Sequence, residues 1–261
     1  MHAAGNDYVY VADEDYKTEV LASFTRFASD RRKGIGGDGV ICVKKLSDNV
    51  VGMRIFNADG SEGATCGNGM RCAALFAKKY LNAEGNEFIV KANAGDYPVR
   101  LSFDGDKIVA EADFGMPREI FGGEKLFKAL SPFIKIDKNK IFAINAGNEH
   151  LVVAGGEFAA EIYAKAAYKS GLFKGGVNAE VISFSGGKTK VSVFERGSGY
   201  TLSCGSGAVA SAFALKKITG KSEFTLAMAG GDLSVKFSDE VATLKSEINE
   251  IFTGNVCHEI K

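Results

Sequence analysis

Two of the five cysteines, Cys66 and Cys204, sit in one short pattern: Cys66-Gly67-Asn68-Gly69 and Cys204-Gly205-Ser206-Gly207. Each follows a hydroxyl residue, Thr65 or Ser203, that suits a helix N-cap. Each precedes a small apolar run of helical character, Met70 to Tyr80 and Ala208 to Lys217. A helix start offers unsatisfied N–H donors and a partial positive charge, which bind a carboxylate. The same field favours a thiolate, so the placement predicts thiols with pKa values well below the free value of about 8.5. Glycine at the neighbouring positions lets a ligand approach the backbone. Two such thiols on opposite faces of one carbon can invert it: one removes a proton next to a carboxylate and the other delivers one. Cys42, Cys72 and Cys257 read as small hydrophobes.

The elements that position these thiols are written twice. Ala4-Gly5-Asn6-Asp7-Tyr8-Val9-Tyr10-Val11 matches Ala146-Gly147-Asn148-Glu149-His150-Leu151-Val152-Val153, a shift of 142. Met53-Arg54-Ile55-Phe56 and the cysteine ten residues after Phe56 match Val191-Ser192-Val193-Phe194 and Cys204, a shift of 138. Phe88 through Gly95-Asp96 and Val99 match Phe224 through Gly231-Asp232 and Val235, a shift of 136. The halves are read as 1–118, carrying Cys66, and 119–261, carrying Cys204, with a return of the last strand to the first half left open. In each half, Val-rich and aromatic runs predict strands around a helix that is apolar on nearly every face and therefore buried. The class is α+β: two pseudo-symmetric halves, each a curved, mostly antiparallel, barrel-like sheet wrapped around a central helix, with the site in the cleft between them.

Composition removes other classes. Lys+Arg and Asp+Glu both number 32, so no net field points to nucleic acid or an anionic membrane. No apolar run approaches the roughly 20 residues of a membrane span, and no secretory leader is visible at the start. An odd cysteine count without a leader predicts reduced thiols and a cytoplasmic setting. Three widely separated histidines give no zinc-ligand spacing.

On AGNDYVYV, RRKGIGGDGV, RIFNADGSE, CGNGMRC, NAGNEH, GGVNAEVI and ERGSGYTLSCGSGA, in that order, the chain resembles the diaminopimelate epimerases. The resemblance implies an isomerase without pyridoxal phosphate or other cofactor, acting on LL- and meso-diaminopimelate in lysine and peptidoglycan precursor synthesis. It also implies a cytoplasmic homodimer, with a small-molecule substrate and neither nucleic acid nor membrane as partner. By motif it makes Cys66 and Cys204 the base and acid, with Gly67, Asn68, Gly205 and Ser206 holding the reacting carboxylate. Asn6, Asn57, Asn148, Asn178 and Arg196 would bind substrate, the guanidinium suiting a second carboxylate. Glu195 and His150 would hold the reacting ammonium or tune the thiols.

Plainer roles stand beside these. Asn6, Asn57 and Asn148 have the form of turn residues, His150 of a structural histidine, and Arg31-Arg32-Lys33 of a solvated loop. The sequence departs from the family in its short stretch before Ala4. It also carries Gly39 where glutamine is frequent, Glu149 where proline is, and Tyr200 where glutamate is. Rival readings are a proline or hydroxyproline racemase of the same fold, a non-catalytic amino-acid-binding module, and a redox protein joining Cys66 to Cys204.

Overall fold

The computed structural model describes residues 1–63 and 66–257; Thr65, one expected N-cap, lies outside them. The chain divides into two compact units, Met1–Ala112 with Lys245–Lys261, and Asp113–Leu244. In the first unit, strand Val9–Ala12 runs parallel to Gly39–Lys45. A crossover through helix α1, Thr18–Ser29, joins them. Gly39–Lys45 pairs antiparallel with Val50–Asn57, which runs parallel to Glu87–Ala92 after a crossover through helix α2, Gly67–Tyr80. Gly95–Asp104 and Lys107–Gly115 continue antiparallel. The short strand His2–Ala3 pairs with both Asn6–Asp7 and Ile248–Asn249, so the last strand ends against the first.

The second unit repeats this order. Strand Glu149–Ala154 runs parallel to Asn178–Ser185, and that strand antiparallel to Lys188–Glu195. Lys188–Glu195 is parallel to Glu223–Met228, which turns antiparallel into Gly231–Phe237. Strand Arg118–Phe121 and helix α3 (Gly123–Leu130) come first, and strand Ile141–Asn145 is the longer counterpart of His2–Ala3, pairing antiparallel with the strand after its Ala-Gly-Asn turn. Helix α4, Ala160–Lys169, takes the place of α1, and helix α5, Gly205–Thr219, that of α2. Among the described residues, no helix is long and apolar enough to cross a membrane.

Alternation along the strands decides what each helix meets. Val40 and Cys42 point to one face of their strand, where they form a core with Leu21 and Ala28 of α1 and with Phe56. Ile41, between them, points the other way, onto Gly69 of α2. The second unit sends Ala179 and Val181 to the α3 and α4 side, with Leu126, Tyr163 and Phe173. Residue Glu180 between them points to Gly207 of α5. Strands sandwiched this way are buried on both faces, which is why they read as continuous apolar runs. Inner helices α2 and α5 are buried nearly all round, as expected; Leu75 alone, fully enclosed, contributes about 1.5–3 kcal/mol of burial. The outer helices were not legible as a repeat, though Leu21, Thr25 and Ala28 have helical spacing.

Candidate active site

Both inner helices begin three residues earlier than the apolar pattern predicts, because the cysteine itself is the cap. Cys66 and Cys204 have extended backbones, φ −143°, ψ 116° and φ −133°, ψ 119°. Their sulfurs accept the N–H of Gly69 at 3.3 Å and Gly207 at 3.4 Å. Ser203, expected as the second cap, instead sits one position before the cap and is buried. The thiol thus fills the role of a capping oxygen, satisfying one orphan donor of the first turn. A side chain at Gly69 or Gly207 would collide with what lies across the helix: an added Cβ would stand 2.3 Å from Ile41 Cδ1 or 2.5 Å from Glu180 Oε1.

Among the described residues, the groups bonded to the Cys66 sulfur are neutral. Its sulfur lies 3.3 Å from Asn6 Oδ1, while Asn6 Nδ2 donates to Asp38 at 2.8 Å. Arg31 bridges Asp38 and Asp7, at 3.0 and 2.6 Å. The Tyr8 hydroxyl also bonds to Cys66, and burial together with that thiol's charge pushes the phenol well up. Behind the cap, Arg71 is fully enclosed and bonds only neutral oxygens: the Gly67 carbonyl at 3.2 Å, Ser246 Oγ at 2.8 Å and Asn68 Oδ1. Burial pulls its guanidinium down to about 10, which leaves it a cation at neutral pH.

Around Cys204 the neighbours are acidic. Glu195, at the end of Lys188–Glu195, accepts the Thr201 hydroxyl at 2.5 Å and bonds the Cys204 thiol. Buried His150 joins Glu180 through Nδ1 at 2.8 Å and Asn148 Oδ1 through Nε2 at 2.7 Å. Burial pushes the Cys204 thiol well above its ordinary value, and the Glu195 and Glu180 carboxylates add to it. Bonds from Ser206 and the Gly207 N–H oppose that shift and lose. This corrects the expectation of a lowered pKa at Cys204: a helix start is worth less than complete desolvation beside two carboxylates.

The remaining expected residues divide. Asn178 Oδ1 accepts the backbone N–H of Arg196 at 2.8 Å, tying two expected substrate contacts together. The exposed Arg196 guanidinium gives one bond to the Gly175 carbonyl, at 3.4 Å. Asn57 closes its own turn, bonding Ser61 Oγ at 3.0 Å. Asn148 serves His150 rather than a thiol. Gly67, Asn68, Gly205 and Ser206 form the first helical turns, and the Asn68 side chain is folded inward onto Arg71. Arg31 lies on the exposed loop expected of it, but is fixed there by Asp7 and Asp38.

Reading by sequence missed Arg71, Glu180, Tyr8 and Thr201. The first two carried a signal: each is the one charge inside an otherwise apolar stretch, Met70 to Ala77 and Ala179 to Ile182.

A family model described as diaminopimelate epimerase matches residues 1–118 and 142–252. A diaminopimelate epimerase of Methanocella arvoryzae is 32% identical over 98% of this chain and 95% of that protein. One from Bacillus mycoides is 33% identical, again over 98% and 95%. Among solved structures, a PhzF-family phenazine biosynthesis protein of Bacillus anthracis superposes with TM-score 0.70 over 96% of this chain and 95% of its own, at 12% identity. That last likeness speaks to the fold alone.

Proposed function

The chain belongs to the diaminopimelate epimerase family, and from that premise we propose that Cys66 and Cys204 are its acid–base pair. The protein is an isomerase that interconverts LL- and meso-diaminopimelate. A thiolate takes the α-proton, charge passes into the adjacent carboxylate, and the other thiol supplies a proton to the opposite face. Each turnover therefore leaves the two thiols with exchanged protonation states. The observation that carries this reading is the matched capping: two cysteines with nearly the same φ and ψ, each accepting from the glycine three residues on. A helix start that holds a thiol in this pose presents its first-turn donors beside the sulfur, so the reacting carboxylate is assigned to Gly67-Asn68 and Gly205-Ser206.

Glu195, half-buried beside Cys204, suits the reacting ammonium. Arg196 suits the distal carboxylate, since among the described residues its fork is engaged by one carbonyl. Asn6 and Asn178 hold Cys66 and Arg196 in place, and Asn57 and Asn148 complete the polar lining. The rival racemase of proline-like substrates has no second carboxylate for Arg196 to meet. The reaction calls on no cofactor, and a cytoplasmic homodimer is what the family resemblance implies.

The test is incubation with LL-diaminopimelate in D2O without pyridoxal phosphate, beside Cys66→Ala and Cys204→Ala. Meso product carrying α-deuterium, absent from both variants, is expected. Binding without any exchange in the wild type would leave only a binding module.

A further inference from the structure

The two half-sites are homologous, yet they differ in charge at two places. On the inner helix, Arg71 of α2 corresponds to Val209 of α5, by the 138-residue shift that relates Cys66 to Cys204. On the strand beneath, Ile41 corresponds to Glu180: each meets the same glycine position, Gly69 or Gly207, from across the helix. The first half therefore buries a cation where the second has an apolar residue. The second buries a carboxyl group where the first has an apolar residue.

Neither group is spent on structure alone. Arg71 is wholly enclosed, and among the described residues its partners are three neutral oxygens. A buried guanidinium without a carboxylate is costly unless an anion lies within its field. Its bond to the Gly67 carbonyl sets it one residue beyond the Cys66 cap. Glu180 is equally enclosed; one oxygen meets His150 and the other has no partner among the described residues. The Gly207 Cβ position that lies 2.5 Å from Glu180 Oε1 lies 3.2 Å from Cys204 Cβ, so carboxyl and cysteine flank one point.

Building on the two-thiol reading above, we infer that Arg71 and Glu180 are positioning residues that break the symmetry of the pair, so that Cys66 gives up its proton before Cys204. The enzyme at rest then carries its base on Cys66 and its transferable proton on Cys204. Among the described residues, the groups facing Cys66 are the Tyr8 and Tyr10 phenols, the Cys72 thiol and the Arg71 cation, with the Asp38 carboxylate, paired to Arg31, one hydrogen bond further off behind Asn6. Asn6 Oδ1 favours the neutral thiol, and the Tyr8 hydroxyl and Gly69 N–H both donate against it. Those facing Cys204 are Glu195 and Glu180, with His150 shared between the acids and Ser206 bonding the sulfur.

The experiment follows alkylation of each cysteine by iodoacetamide in the full-length, substrate-free protein from pH 5 to 10, resolved by peptide mass spectrometry. Midpoints rather than rates are compared, because the two thiols differ in exposure. Cys66 is expected to titrate below Cys204. Arg71→Met is expected to raise the Cys66 midpoint by about one pH unit or more, Arg71→Lys to restore most of it, and Glu180→Gln to lower the Cys204 midpoint. Should Arg71→Met fail to fold, the wild-type order and Glu180→Gln decide the matter. Coincident or inverted midpoints in the wild type, or an Arg71→Met midpoint that does not move, overturn the inference. Deuterium exchange on diaminopimelate separates the two levels. Split midpoints without exchange sink the epimerase and leave the charge asymmetry, whereas exchange with coincident midpoints does the reverse.

Discussion

His150 Nδ1 lies 2.8 Å from Glu180 Oε1, and both side chains are shut off from solvent. Because Glu180 Oε2 already lacks a partner, losing the imidazole strands the whole carboxyl group in the core. Removing one member of a buried pair costs about 3–5 kcal/mol. His150→Ala is therefore expected to lose that much in urea unfolding, while His150→Leu combined with Glu180→Leu recovers most of it. A His150→Ala protein within about 1 kcal/mol of wild type would show the pair to be unimportant for stability.

Gly39 stands where the family resemblance leads one to expect glutamine. A Cβ there would come 2.1 Å from the Phe56 carbonyl oxygen and 2.9 Å from Tyr8 Cε1. Backbone is the obstacle, so the strand pair Gly39↔Asn57 has to part to admit it. Gly39→Gln is expected to lower stability by about 1–3 kcal/mol, the usual cost of overpacking. Unchanged stability would mean that the strand opens freely at that point.

The doubled architecture was legible because it needs only matching residue types at constant shifts, and the structure reproduces both inner helices and the strands around them. The caps were not. Ser203 is a better capping residue than cysteine by type, but the chain places the thiol at the cap, and only the backbone angles reveal it. The direction of the Cys204 shift escaped for a related reason. The helix field is local and readable, whereas desolvation and Glu180 come from a strand that is adjacent only in the fold. Asn57 shows the reverse: its Asn-Ala-Asp-Gly setting already has the form of a turn, and its amide does close one.

Glu195 carries a sign that pH can read. Burial, resisted by the Thr201 and Cys204 bonds, holds its carboxyl above the ordinary 4.5. The folded protein thus keeps this proton more tightly than the unfolded chain does, so the contribution to stability is complete below 4.5 and is lost as pH rises through the folded value. Glu195→Gln is expected to melt higher than wild type at pH 8, with the gap closing toward pH 5, and to lose epimerisation at both. A gap that widens on acidification would reverse the assignment.

Asn6 offers the sharpest separation between aiming a thiol and charging it. Its Nδ2 donates to Asp38 at 2.8 Å, which fixes the amide so that Oδ1 faces Cys66. An acceptor at that point steadies the S–H form and aims the sulfur. Asn6→Ala should therefore do two opposite things: lower kcat by about 10²-fold through lost aim, yet move the Cys66 alkylation midpoint down, because the neutral thiol loses its acceptor. Asn6→Asp would put a carboxylate against the sulfur and move that midpoint up, with kcat falling as well. Arg31→Ala, which removes an exposed bridge to Asp7 and Asp38, should change stability by less than about 1 kcal/mol and leave both midpoints near wild type. Midpoints that move in the same direction in Asn6→Ala and Asn6→Asp would mean that the amide acts through packing alone, whatever the loss in rate.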